Sequence, residues 1–220
     1  ILLVPAYYGL TFGKTTFQNT NYDFMQRFDF LDFLTKFLPA SYDTVRPEGL
    51  PVVYSGLLTV LFAPLFFIAP GISNREKVWS GLLCVVLVMS MNASTVDIFW
   101  HGLSKPNWLN YRYSFMLCFF LLVLGYRAFD QILYTSRQSL VGIVVGIGAY
   151  TVILQKFTDI LVEEEEKMVI RPFATIWLTL GCLFAYFILV SLYGKVKERQ
   201  KETVAMVLLL LVCVEVFLSG

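Results

Sequence analysis

Residues 173–193 have the sequence FATIWLTLGCLFAYFILVSLY, without a single charged side chain. A helix needs about 17 to 25 mostly apolar residues to cross a hydrocarbon core that is about 30 Å thick, and this run is long enough. Residues 1–12 resemble the second half of another such span. Further apolar runs of this kind lie at 52–69, 78–91, 113–128, 140–154 and 204–218. The sequence therefore predicts an all-α integral membrane protein, a polytopic transmembrane helix bundle of six full spans and one partial span.

The composition of the whole chain supports this class. Hydrophobic residues make up 57% of it and charged residues 15%, against roughly 25% charged in soluble domains. A net charge of +1 without a basic patch gives no reason to expect nucleic acid as a partner. Each cysteine lies inside an apolar run, where a thiol acts as a small hydrophobe. The cysteines thus indicate neither a disulfide framework nor a metal cluster: Cys84, Cys118, Cys182 and Cys213.

Residues 24–38, FMQRFDFLDFLTKFL, place apolar side chains at helical spacing among charged ones. This pattern predicts an amphipathic helix that lies along the membrane surface within the loop 13–52. We expect residues 1–220 to form one transmembrane domain, as part of a longer polytopic protein. The expected apolar stripe of the surface helix is Phe24, Phe28, Leu31, Leu34 and Leu38. The acids of this loop are expected on the wet face: Asp23, Asp29, Asp32 and Asp43.

Basic residues predict the orientation of the spans. They are concentrated in three short loops, and short loops rich in lysine and arginine face the cytoplasm. The longer loops 13–52, 92–112 and 155–172 are then expected outside. The residues on which this orientation rests are Arg75, Lys77, Arg127, Arg137, Lys195, Lys197, Arg199 and Lys201.

The polar stretch 95–115, TVDIFWHGLSKPNWLNYRYSF, holds the only histidine of the chain. If its first residues are helical, Asp97 and His101 lie on one face, so that the carboxylate could orient the imidazole or share a metal with it. Arg112 precedes the next predicted span, where a guanidinium and exposed N–H groups suit a phosphate. Lys105 could add a second positive charge. One histidine and one aspartate do not complete a metal coordination sphere, so no metal site is predicted.

Two simpler interpretations of this stretch stay open. Its aromatic residues, Trp100, Trp108, Tyr111 and Tyr113, could form a belt at the membrane interface while Arg112 reaches the lipid headgroups. Asp97 could cap a helix end or pair with Arg112.

Glu215 lies in the last apolar run, where a carboxylate needs a partner inside the bundle. It is a candidate functional residue within the membrane. Structural pairing to a donor on another helix is the equal alternative.

The segment WHGLSKPNWLNYRYSF resembles the signature of the YfhO family of bacterial membrane proteins. The elements that carry the resemblance are Trp-His-Gly, Pro-Asn-Trp and Arg-Tyr-Ser-Phe in this order. In this chain they are Trp100, His101 and Gly102, then Pro106, Asn107 and Trp108, and then Arg112, Tyr113, Ser114 and Phe115.

This resemblance implies a GT-C-type glycosyltransferase that takes a sugar from a polyprenyl-phosphate donor at the outer leaflet. The acceptor would be a cell-envelope polymer such as teichoic acid, and the location the bacterial plasma membrane. His101, Arg112 and Lys105 would bind the donor phosphate. Trp100, Asn107, Trp108 and Tyr111 would bind the sugar or the prenyl chain.

Within the chain, Asp97 and His101 are the candidates for catalysis, with Asp97 as the acid. In such enzymes a catalytic carboxylate generally lies in the first outward loop, which is expected upstream of residue 1. A lipid-linked carrier or flippase and a non-catalytic membrane scaffold are the alternative functions.

Overall fold

The computed structural model describes residues 4, 24–41, 49–102, 110–162 and 172–219, and only the backbone of 155–162 and 172–174. Most of the described residues are helical, and their one β-type contact is an isolated antiparallel bridge between Gln26 and Ala93. A short 3₁₀ helix lies at Ile132–Tyr134. The α-helices are α1 Phe30–Thr35, α2 Leu57–Ile68, α3 Asn74–Asn92, α4 Ser94–Trp100, α5 Ser114–Asp130, α6 Arg137–Val162, α7 Pro172–Tyr193 and α8 Glu198–Ser219.

Three helices of the described chain are long and apolar enough to cross a membrane. They provide the segments Arg137–Leu154, Thr175–Tyr193 and Glu198–Ser219. The predicted count of six full spans is therefore larger than the structure supports. The other three predicted spans are helices, but α2 has 12 residues, α5 has 17, and the 19-residue α3 begins with a charged turn. The partial span 1–12 lies outside the described residues, apart from residue 4.

Two apolar clusters hold the helices together. The larger is centred on α2, whose side chains Leu57, Leu61 and Leu65 are fully buried, and it includes apolar residues of α5, α6, α7 and α8. The smaller contains Phe28, Phe33, Val53, Leu87, Met91, Tyr111, Tyr113 and Leu117. The smaller cluster lies under the polar stretch that the sequence singled out.

Helices α3 and α5 run in opposite directions and are joined at the end far from that stretch. There the Arg127 guanidinium donates to both carboxylate oxygens of Glu76, at 3.0 and 3.2 Å. Arg127 lies in the last turn of α5 and Glu76 in the first turn of α3. The other ends of both helices therefore meet where residues 92–101 and 110–114 lie.

The helix predicted over 24–38 is shorter than expected. It comprises only Phe30–Thr35, because the backbone around Gln26 pairs with residues 92–94 instead of continuing a helix. Its buried side also differs from the predicted stripe. Phe28 and Leu38 are buried, whereas Phe24, Leu31 and Leu34 are exposed, and Phe33 is buried in their place.

Candidate functional site

The frame of the candidate site is a short antiparallel pairing between residues 25–28 and 92–94. The backbone N–H of Arg27 donates to the carbonyl oxygen of Asn92 at 3.0 Å, and Ser94 N–H donates to the carbonyl oxygen of Met25 at 3.1 Å. The Asn92 side-chain oxygen also accepts from the N–H groups of Arg27 and Phe28, at 3.1 and 3.2 Å. Asparagine readily bonds to nearby backbone groups. The pairing fixes Arg27 beside the start of α4.

Asp97 is the centre of the site. Its side chain is fully buried, and Arg27 Nη2 lies 2.9 Å from its Oδ2. The Tyr113 hydroxyl lies 2.8 Å from both Asp97 Oδ1 and the carbonyl oxygen of Ser90, so it can donate its hydrogen to either. A buried carboxylate is stable only when it is paired and hydrogen-bonded. Arg27 and Tyr113 meet this requirement from segments remote in the sequence.

His101 ends helix α4 and is held by the residue four positions earlier. Its Nδ1 lies 3.0 Å from the backbone carbonyl oxygen of Asp97 and 3.7 Å from the carboxylate atom Oδ1. A carbonyl oxygen only accepts, so Nδ1 carries the hydrogen, and Nε2 has the lone pair when the ring is neutral. The two residues share one helix face, as the spacing predicts. The backbone oxygen of Asp97, rather than its carboxylate, makes the shorter contact with the ring.

The aromatic residues of the stretch have different positions. Trp100 is partly exposed and stacks on Tyr113, with ring centroids 4.7 Å apart and planes at 13°. Tyr111 is buried in a left-handed backbone conformation with φ of 56°. Its ring lies under the Arg27 guanidinium, 5.8 Å from centroid to Cζ, and meets Phe28 edge-on. Because Tyr111 and Tyr113 are buried in the protein, a lipid-facing belt does not describe them.

Arg112 is exposed and stands two residues before the first residue of α5. The ion pair described for Asp97 is with Arg27, and α4 has no side-chain cap. The simpler interpretations of Asp97, a cap or a pair with Arg112, therefore do not match the geometry found. Three predicted site residues lie outside the described residues: Lys105, Asn107 and Trp108.

Glu215 belongs to a separate cluster. Its carboxylate is fully buried and accepts hydrogen bonds from the hydroxyls of Tyr54 and Tyr186 and from the N–H of Leu57, the last at 2.6 Å. Structural pairing, one of the two interpretations of Glu215, requires donors on other segments of the chain. The geometry provides such donors.

Acidic side chains of the described chain do not converge into a metal centre. No group of three or more His, Cys, Asp or Glu side chains comes together within the residues that the structure covers. Partial burial, and then the neighbouring Asp29 carboxylate, raise the pKa of Asp32, while Lys36 lowers it. Asp32 belongs to the short helix α1, and the charges that shift its pKa are those of Asp29 and Lys36.

Arg27 and Tyr113 are the site residues that sequence reasoning missed. Arg27 lies within the stretch 24–38 that the sequence predicts to be a surface helix, and Tyr113 is among the aromatic residues of the possible interfacial belt. The available signal was weak: Asn92 and Ser94, residue types that bond to backbone, follow an apolar run directly.

Three of the described helices are long and apolar enough to cross a membrane, which is the mark of integral membrane proteins. The family model for the bacterial membrane protein YfhO matches residues 1–220. The chain therefore belongs to the YfhO family. No curated protein and no solved structure matches it.

Proposed function

We propose that this chain is the core of a membrane glycosyltransferase. It would take a sugar from a polyprenyl-phosphate donor and transfer it to a cell-envelope polymer such as teichoic acid. In this proposal the chain crosses the bacterial plasma membrane several times, with the Asp97 end of the bundle outside. Membership of the YfhO family and the apolar helices support the membrane setting.

The observation that carries the proposal is that Asp97 fixes an arginine and a histidine side chain, while an exposed arginine precedes α5. Arg27 is held at 2.9 Å from the carboxylate, His101 is held by the Asp97 backbone, and exposed Arg112 stands before α5. A transfer with inversion breaks the bond between the anomeric carbon and the phosphate oxygen, and the acceptor hydroxyl oxygen takes its place. The leaving polyprenyl phosphate gains negative charge, which preorganised cations stabilise.

The residues take the following roles in this proposal. Arg112 stabilises the leaving phosphate, and His101 Nε2 takes a hydrogen bond or a proton from the incoming hydroxyl. Asp97 keeps Arg27 and His101 in place. Its carboxylate is fully buried, so its role is to position these side chains and not to contact the substrate. Trp100, of which part is exposed, offers a ring for the sugar or the prenyl chain, and Tyr111 supports Arg27 from below.

The proposal includes three further contacts to the donor, which rest only on their positions in the sequence: Lys105, Asn107 and Trp108.

The test uses the intact protein in liposomes with radiolabelled polyprenyl-phosphate hexoses and purified teichoic acid. Loss of one charge-stabilising donor typically lowers turnover by about 10²–10³-fold, so Arg112→Ala should lower it by about that factor. Arg112→Lys should fall between, since lysine keeps the charge but not the planar fork of donors. Arg137→Ala is the matched control: an exposed arginine at the other end of the bundle, expected to leave turnover within about twofold.

Normal turnover of Arg112→Ala would contradict the assignment of that residue. Movement of labelled donor across the liposome membrane without transfer to the polymer would favour the carrier. A protein that neither transfers nor moves the donor, and tolerates substitution of His101 and Arg112, would favour the scaffold.

A further inference from the structure

Residues 50–56 connect the two apolar clusters of the protein. Val53 is fully buried in the smaller cluster with Tyr111 and Tyr113, and Leu57 is fully buried in the larger one. No regular secondary structure is assigned to residues 51–56. The backbone of this segment must therefore be held by contacts from elsewhere.

The Glu215 carboxylate supplies such contacts at the boundary between the clusters. One of its oxygens, Oε1, accepts from the Tyr54 hydroxyl and the Leu57 N–H, and the other accepts from Tyr186 on α7. The Ser219 hydroxyl on α8 lies 3.3 Å from the Tyr54 hydroxyl and 2.7 Å from the Glu215 carbonyl oxygen, and it can donate its one hydrogen to either. A single side chain thus ties residues 54–57 to two long helices.

The start of α2 has no cap of its own. Its N-cap residue is Gly56, with φ of 88°, and no side-chain hydrogen bond closes the helix there. The first N–H groups of any helix lack partners within it, and inside a membrane each unpaired backbone group costs several kcal/mol. A carboxylate at this position both accepts the N–H and interacts favourably with the helix dipole. Glu215 therefore caps α2 from a distant part of the chain.

We propose that Glu215 is a positioning residue for the Asp97 site. It fixes the backbone at Tyr54 and Leu57, and this places Val53 in the cluster that contains Tyr111 and Tyr113. Those two tyrosines in turn contact Arg27 and Asp97. Glu215 itself makes its described contacts away from that site, so it acts on the site only through residues 53–57.

A cross-link between residues 52 and 118 can measure the position of the segment. The thiol of Cys118 on α5 lies 3.8 Å from the Val52 carbonyl oxygen. In the intact protein the other three cysteines are replaced by alanine, and Val52→Cys is oxidised onto Cys118. The rate is followed by counting the thiols that still take a maleimide mass tag. The reference cross-link joins Gly71→Cys and Gln131→Cys, because a Cβ on Gly71 would meet the Gln131 side chain.

Glu215→Ala should slow the 52–118 cross-link at least about fivefold and leave the 71–131 cross-link unchanged. Glu215→Gln should keep the 52–118 rate within about twofold. Its amide oxygen can accept from Tyr54 and Leu57, and its amide nitrogen can donate to the Tyr186 hydroxyl oxygen. Leu210→Ala, on the exposed side of the same helix, is the matched control and should change neither rate.

An unchanged 52–118 rate in Glu215→Ala would overturn the proposal. Equal slowing of both cross-links would also overturn it, since Glu215 would then support the packing of the whole bundle. A loss of turnover in Glu215→Ala can be measured only if the proposed function is correct, whereas the cross-linking rates do not depend on that function. Failure of either proposal can thus be recognised separately.

Discussion

The pair formed by Arg27 and Asp97 should contribute measurably to stability, and the two partners should contribute unequally. The Asp97 side chain is fully buried, while 17% of the Arg27 side chain is exposed. Breaking a fully buried pair costs about 3–5 kcal/mol, and exposed pairs contribute about 0.2–1 kcal/mol. Because Arg27 reaches water, Asp97→Asn should cost an intermediate amount, about 2 kcal/mol. Asparagine keeps an acceptor for the Tyr113 hydroxyl, so the change removes mainly the charge.

Arg27→Met should cost more, about 3 kcal/mol, since it leaves a carboxylate without its described arginine in a place closed to water. The double variant should be no less stable than Arg27→Met alone. In a chain of 150–250 residues, 1 kcal/mol shifts the melting midpoint by about 2–4 °C. The expected losses are therefore about 4–8 °C for Asp97→Asn and about 6–12 °C for Arg27→Met.

The assay is the heat-induced loss of the monodisperse peak of the intact protein in detergent. The wild type, both single variants and the double variant are measured side by side, so that the coupling between the two changes is obtained directly. If the double variant loses the sum of the two single losses to within about 1 °C, Arg27 and Asp97 do not interact and the site is described wrongly. Equal losses from the two single variants would contradict the argument from their different exposure.

Three further changes test other contacts, each by the same melting midpoint. Tyr113→Phe removes the hydroxyl that lies 2.8 Å from Asp97 and should cost about 0.5–1.5 kcal/mol; an unchanged midpoint would show that the hydrogen bond is not made. Gly125→Ala should be tolerated, because its new Cβ would meet neighbours at 3.7 Å, an ordinary van der Waals distance. Gly125→Leu should cost about 1–3 kcal/mol through overpacking between α2 and α5. Similar midpoints for these two variants would contradict that packing. Arg127→Ala should cost no more than about 1 kcal/mol, since its pair with Glu76 is about 40% exposed on both sides, and a larger loss would mean that the pair holds α3 to α5.

The helices could be predicted from the sequence because each follows an apolar run. The run 173–193 is nearly identical to α7, Pro172–Tyr193. The bounds were less accurate where charged residues continue a helix, as in α8, which starts at Glu198 and not at 204. Hydropathy marks the part of a helix that prefers lipid, whereas helical hydrogen bonding extends into polar residues as well. Hydropathy also carries no information on which apolar residues are helical, so it could not show that the run 52–69 becomes a helix only at Leu57.

The local part of the candidate site could also be predicted. The spacing of Asp97 and His101 placed them on one helix face, and α4 does so over seven residues. The partner of Asp97 could not be predicted, because Arg27 reaches it through backbone pairing between residues 25–28 and 92–94. That pairing replaces the first part of the predicted surface helix. Helical periodicity in residues 24–38 favoured the wrong local structure, and a contact with a distant segment overrode it.

Asp97 and Glu215, the two buried carboxylates among the described residues, have different hydrogen-bonding and charge partners, and this difference separates their roles. Asp97 has a cationic partner in Arg27, and partly exposed Trp100 stacks on Tyr113, whose hydroxyl contacts Asp97. The contacts described for Glu215 come instead from neutral donors, two hydroxyls and one backbone N–H. An amide can take the place of a carboxylate that is bonded only to neutral donors, because its oxygen accepts in the same geometry. It cannot take the place of a carboxylate in an ion pair, because it has no charge. Asp97→Asn should therefore lower stability clearly, because Asp97 belongs to a charged site. Glu215→Gln should have a mild effect, because Glu215 is a positioning contact.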